Sequence, residues 1–283
     1  MTILVLDFDG TMTDAEAEGR PFRDGYLDDL CALVGRPAGD AEVIGIAEEV
    51  EAELARSPED HPFLWMGRAV APATVDPYLR MVPIAHRILD WFDAMPGATD
   101  RGRLLGNVLY KYNYAKTLGH PVFRDGAGEA LRALAHTDAW IVTNSDTHAV
   151  AAKVAALDRV SPGVAWLTSR VCGHARKFDV DDTWDGAPAE LALPGLARPV
   201  LLRRRNYHAI LRTILDGARA EVADLVVIGD IFELDLAMPL ALGARVGLVA
   251  SPQTPAYERA FVAAHPRGRV IEDLRDIPAF AFG

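Results

Sequence analysis

Two aspartates separated by one residue stand near the start of the chain, in Ile3-Leu4-Val5-Leu6-Asp7-Phe8-Asp9-Gly10-Thr11. A carboxylate is already ionised at neutral pH, so Asp7 has the chemistry to attack a phosphorus atom and carry the phosphoryl group as an acyl phosphate. Asp9 has the chemistry to protonate the departing oxygen and later to take a proton from water. Gly10 frees the main chain for the turn that follows. Two carboxylates repel a phosphate dianion, so this chemistry calls for a divalent cation, and Mg²⁺ suits an all-oxygen site. A further carboxylate for that ion is Asp230, in Val227-Ile228-Gly229-Asp230, with Asp235 five residues on. Thr143-Asn144-Ser145-Asp146 adds a hydroxyl and, where a helix begins at Ser145-Asp146, free main-chain amides suited to phosphoryl oxygens.

The elements that must position these residues are legible on either side of them. Asp7, Thr143 and Gly229-Asp230 each follow a short, continuous apolar run: residues 3–6, 139–142 and 225–228. Such runs read as parallel strands buried on both faces. In an open parallel sheet, ligands bind beyond the carboxyl ends of the strands. Residues 244–249 and 270–271 read as further strands. Helical stripes alternate with them: Val150, Val154 and Leu157; then Tyr207, Ile210, Leu211, Ile214 and Leu215; then 234–242, closed by Gly243. The class is therefore α/β, with a Rossmann-like parallel sheet. Val164–Cys172 reads as one more strand and 173–195 as loop with short extended pieces.

Residues 14–119 differ. Four amphipathic stripes (Leu27 to Val34, Val43 to Leu54, Tyr78 to Phe92, Leu104 to Tyr112) predict an inserted all-helical bundle. The expected division is an α/β core of residues 1–13 and 120–283 around a helical domain of 14–119.

The D-x-D-G-T run at Asp7–Thr11, the strand-end Thr143, a basic group and the Gly229-Asp230…Asp235 spacing, in this order, resemble the haloacid dehalogenase-like (HAD) phosphatase superfamily. The resemblance covers the whole chain, with the helical insertion where many members carry a cap. It implies Asp7 as nucleophile and metal ligand, and Asp9 as acid/base with its main-chain carbonyl on the metal. Thr143 and Asn144 match the phosphate-binding strand end, Asp230 the metal-binding acid, and Asp235 a second acid supporting the metal or the basic residue. The family's third motif is a departure. A lysine is expected at the start of the helix before the Asp230 strand, where this chain reads Arg203-Arg204-Arg205. Arg204 is the expected replacement, because Ile210 and Ile214 then fall on the buried face. Lys177 is the rival, and it requires a long insertion after it. The chain has only four lysines among 29 lysines and arginines.

Composition narrows the classes further. A net charge of −11 disfavours nonspecific nucleic-acid binding. Cys31 and Cys172 form no metal-ligand or disulfide pattern, and two reduced cysteines with no signal-peptide pattern point to the cytoplasm. No stretch reads as a membrane span. Within the family resemblance, the presence of Asp9 argues against dehalogenases and phosphonate-cleaving relatives, which lack that acid. The expectation is an Mg²⁺-dependent phosphohydrolase acting on a small phosphorylated metabolite, as a monomer or homodimer. A phosphomutase or phosphotransferase uses the same two aspartates and stays open, as does a non-catalytic binding protein on the same fold.

Overall fold

The computed structural model of the chain describes residues 1–283 except Pro96. Its strands are β1 (Ile3–Leu6), β2 (Pro62–Trp65), β3 (Arg68–Pro72), β4 (Ala139–Val142), β5 (Val171–Cys172), β6 (Glu190–Leu191), β7 (Val200–Leu201), β8 (Leu225–Gly229), β9 (Arg245–Val249) and β10 (Gly268–Ile271). Six of them form one sheet in the order β10-β9-β8-β1-β4-β5, and every neighbouring pair is parallel. Among the described residues, β2 pairs only with β3 and β6 only with β7.

Alternation along β1 divides the core. Ile3 and Val5 face a cluster with Val227, Leu248, Tyr207, Leu211 and Phe232; Leu4 and Leu6 face one with Ile228, Ile141, Val154, Leu131 and Ile277. Both faces are covered, which is why the strands read as unbroken apolar runs rather than alternating ones. The strand register then places the chemistry. Leu6 is level with Ile141 on one side and with Ile228 on the other. Asp7, Val142 and Gly229 follow at the same level, and Thr143 and Asp230 one residue beyond. The three signals meet at one end of the sheet because the central strands are in register.

The chain divides into two compact units: Met1–Asp14, Pro62–Ala71 and Phe123–Gly283 in the first, Ala15–His61 and Pro72–Val122 in the second. The second unit is built on the helices Ala15–Leu33, Ala41–Arg56 and Pro77–Trp91, which bury Phe22, Leu30, Val43, Val50, Ile84 and Ile88. Asp40 and Asp76 cap the second and third, each accepting from two main-chain amides. Among the described residues, no helix is long and apolar enough to cross a membrane.

Three local expectations are corrected. The segment 14–119 is not all helical: β2 and β3 form a hairpin whose two-residue turn, Met66-Gly67, has positive φ at both positions (50° and 77°), the conformation whose twist suits tight hairpins. Residues 62–71 group with the α/β unit rather than with the helices. Val164–Cys172 is a strand only at Val171–Cys172. Ala165–Arg170 is a 3₁₀ helix, because one Asp158 oxygen accepts from the amides of Gly163, Val164 and Ala165 at 2.8–3.0 Å and turns the chain there. Residues 234–242 are not one helix: a wider π-type turn, Phe232–Leu236, precedes the α-helix Ala237–Leu242.

Candidate active site

Asp7 leaves β1 with its amide donating to the Ile228 carbonyl at 2.8 Å, so the main chain stays in the sheet as the side chain turns to the strand ends. Gly10 follows with φ +85°, and a β-carbon there would lie 2.3 Å from Asp230 Oδ2. Glycine is thus required twice, by the conformation and by the approach of the second acid. Thr11 Oγ1 lies 2.9 Å from Asp230 Oδ1 and 3.2 Å from Asp7 Oδ2, bridging the two carboxylates.

Asp7, Asp230 and Asp235 offer carboxylate oxygens that all lie within 4.8 Å of one another. The π-type turn after β8 brings Asp235 back to the strand end. Its Oδ2 accepts from the Ile231 amide at 3.0 Å, and Tyr207 Oη donates to its carbonyl at 3.0 Å. Burial pushes the Asp7 carboxyl up to about 7 against the pull of the Lys177 ammonium. Burial, then the charges of Asp7 and Asp235, push Asp230 well above the usual carboxylate range. Three acids converge at one strand end, so the donor set fits a divalent cation, which would favour their ionised forms.

The cation bonded to two of these acids is Lys177. Its Nζ donates to Asp7 Oδ1 at 2.6 Å and to Asp235 Oδ1 at 2.8 Å, and its side chain is 1% exposed. Burial alone would discharge it, but Asp235 and Asp7 outweigh burial and hold the ammonium well above its ordinary pKa. Arg204 does not reach Asp7. Its guanidinium donates to the main-chain carbonyls of Lys177 and Val70. The expectation of Arg204 beside the nucleophile is therefore corrected. The helix Arg205–Ala218 does turn Arg204 inward, but the place next to Asp7 is filled by a lysine from the preceding loop.

Asp9 faces different partners. Ser145 Oγ donates to its Oδ2 at 2.6 Å, and Lys153 Nζ pairs with its Oδ1 at 2.7 Å. Thr143 is buried, with its Oγ1 accepting from the Ser145 amide at 3.1 Å and shaping the turn into the helix Thr147–Val160. Asn144 Oδ1 accepts from the Lys177 amide at 2.7 Å, so it orients the lysine loop. Sequence reasoning missed Thr11 and Lys153 as site residues and took Ser145 only as a helix start. Lys153 did carry a signal: it sits three residues after Val150 and four before Leu157, on the side of the helix that points inward.

No protein-family model matches the chain, and no curated protein matches it in sequence. Solved structures do match. A haloacid dehalogenase-like protein of unknown function from Agrobacterium tumefaciens is 15% identical, with 99% of this chain and 96% of that one covered and a TM-score of 0.52. YfnB from Bacillus subtilis, in a structure bound to magnesium, is 14% identical, with 99% and 98% covered and a TM-score of 0.52. At these identities the likeness is one of fold: the chain has the haloacid dehalogenase-like fold, a parallel α/β sheet with surrounding helices.

Proposed function

We propose that this chain is an Mg²⁺-dependent phosphomonoesterase that acts on a small phosphorylated metabolite through an aspartyl-phosphate at Asp7. The observation that carries the reading is the meeting of Asp7 with Asp230, Asp235 and the buried Lys177, while Asp9 is held apart on Ser145 and Lys153. A nucleophile flanked by one fixed cation and two further acids suits the transfer of a dianionic group. A separately held carboxylate suits proton transfer to the leaving oxygen.

The residues then divide the work. Asp7 attacks phosphorus, its new O–P bond forming as the bond to the substrate oxygen breaks. Asp9 delivers the proton that oxygen needs, and in the second half takes one from the water that attacks the acyl phosphate and releases inorganic phosphate. Lys177 lies where charge builds on the transferring oxygens and favours the transition state over the ground state. Asp7, Asp230 and the Asp9 carbonyl would hold the Mg²⁺, which supplies charge neutralisation and an anchor for a phosphoryl oxygen. Asp235 holds Lys177 and is near enough to join that acid set. Magnesium in the YfnB structure supports the choice of ion. Thr143 and Asn144 are assigned to the phosphate end, with the amides that begin the next helix.

A protein that only binds its ligand on this fold has no need of a buried cation beside the acid. The presence of Lys177 favours the enzyme. The test is phosphate release across a panel of phosphorylated metabolites with added Mg²⁺, repeated with Asp7→Asn. The amide is no nucleophile, so the variant should lose several orders of magnitude in rate while its circular dichroism is unchanged. Retention of more than about a tenth of the rate would rule out the aspartyl-phosphate route.

A further inference from the structure

Arg204 is fully buried, yet among the described residues no carboxylate lies within ion-pair distance of it, and its Nε has no hydrogen-bond partner. Burial pushes its pKa down to about 10, which still leaves it charged at neutral pH. A buried guanidinium without a paired acid is an unfavourable way to fill space, and an apolar side chain of similar length would pack there with less penalty. Its donors are instead spent on two main-chain carbonyls from distant parts of the sequence, those of Lys177 and Val70.

Both acceptors bear on the same loop. The Lys177 amide is already fixed by Asn144. The residues leading into it, His174 and Arg176, are in the left-handed region (φ 54° and 49°), which side-chain-bearing residues adopt at some expense. The hairpin that carries Val70 grips the other side of the loop. Trp65 Nε1 donates to Asp179 Oδ1 at 2.8 Å, the Trp65 ring lies 4.6 Å from that of Phe178, and Arg68 pairs with Asp182. A strained segment carrying the lysine is thus held at its amide by Asn144, at its carbonyl by Arg204, and on its far side by a hairpin.

We propose that Arg204 is a positioning residue. By bridging the carbonyls of Lys177 and Val70, it locks the main chain from which the lysine reaches Asp7 onto the hairpin. The proposal rests on Lys177 as the cation of the phosphoryl site. Arg204 stands where the resemblance expects the lysine itself, and in this chain it acts one step back, through that residue's carbonyl. The hairpin thereby becomes part of the support of the site.

The experiment compares Arg204→Met and Arg204→Lys with the unaltered chain, using p-nitrophenyl phosphate with Mg²⁺ as substrate and acetic anhydride labelling read by mass spectrometry. With only four lysines, Lys177 is resolved directly. Arg204→Met should keep or raise Tm, lower kcat by about 100-fold with KM within about threefold, and label Lys177 at least about tenfold faster. Arg204→Lys keeps a donor and should recover part of both effects, an ordering that a residue needed only for packing would not produce. Trp65→Phe, which keeps an aromatic ring beside Phe178 and loses the bond to Asp179, should move labelling the same way by less, and it serves if Arg204→Met does not fold. Wild-type kcat and wild-type Lys177 labelling in the folded Arg204 variants would overturn the proposal. Full activity in Lys177→Met would overturn the reading on which it rests, while the labelling result would still report whether Arg204 holds the loop.

Discussion

Two buried charged clusters lie a few residues apart along the turn after β8, and they are built in opposite ways. In one, Asp7, Asp230 and Asp235 converge, Lys177 bonds Asp7 and Asp235, and each of the three acids has at least one hydrogen-bond donor. In the other, Arg198 forks onto Glu233 at 2.9 and 2.6 Å, and Glu258, also fully buried, forms no ion pair and no side-chain hydrogen bond among the described residues. Burial and the charge of Glu233 push Glu258 well above the usual carboxylate range. The first cluster has its groups satisfied but an excess of negative charge, which a cation and a phosphoryl group would use. The second has an acid that simple protonation relieves. The difference teaches that burial of charge is not itself a mark of function; what distinguishes the first cluster is that its residual charge converges on one accessible strand end. Substitutions should therefore cost rate in the first cluster, whereas neutralising Glu258 should raise stability in the second.

The largest contrast is expected at Lys177. Lys177→Met should lower kcat on the best substrate by about 10²- to 10³-fold, the range for loss of one preorganised electrostatic group. A loss of less than about fivefold in steady-state kcat would erase the distinction between the clusters. Next comes the metal. At a free Mg²⁺ concentration 100 times its Kd, the folded state should gain about 2.7 kcal/mol, seen as a rise in Tm that chelator reverses. Asp230→Asn should remove that rise, and Glu233→Gln should leave it. An equal response of the two variants in calorimetry would move the ion elsewhere. The smallest effect belongs to Glu258→Gln, which should raise stability at neutral pH by about 1 kcal/mol with kcat unchanged. The sign follows from the raised pKa. The protonated form's contribution is full below the ordinary glutamate value of 4.5 and is lost as pH rises through the folded-state value, so the variant's advantage should widen with pH. Denaturation curves with the same pH slope for both proteins would contradict the assignment of Glu258.

The strand-end acids were legible because strands buried on both faces leave unbroken apolar runs, and Asp7, Thr143 and Asp230 stand where those runs stop. Lys177 was only a rival because its loop has no period to read. It reaches Asp7 through two left-handed residues, His174 and Arg176, whose side chains give no hint of that conformation. The helical stripe did turn Arg204 inward, but periodicity reports which way a residue faces and not what already stands there. The β2–β3 hairpin was hidden by its shortness, its one clear mark being Gly67 between two apolar runs. Asp235 read as the first turn of a helix over 234–242, whereas the π-type turn sends Glu233 to Arg198 and Asp235 to Lys177.

The first unit is assembled from three stretches of chain, so the polypeptide passes between the two units four times. This matters for anyone recombining such proteins. An exchange of everything between Asp14 and Phe123 for a foreign insert, or for a short linker, removes the Pro62–Ala71 ribbon with it, and with that ribbon the Val70 acceptor of Arg204. A graft that retains those ten residues, spliced between two donor segments, respects the true seams of the molecule. A single-crossover chimera cuts across them.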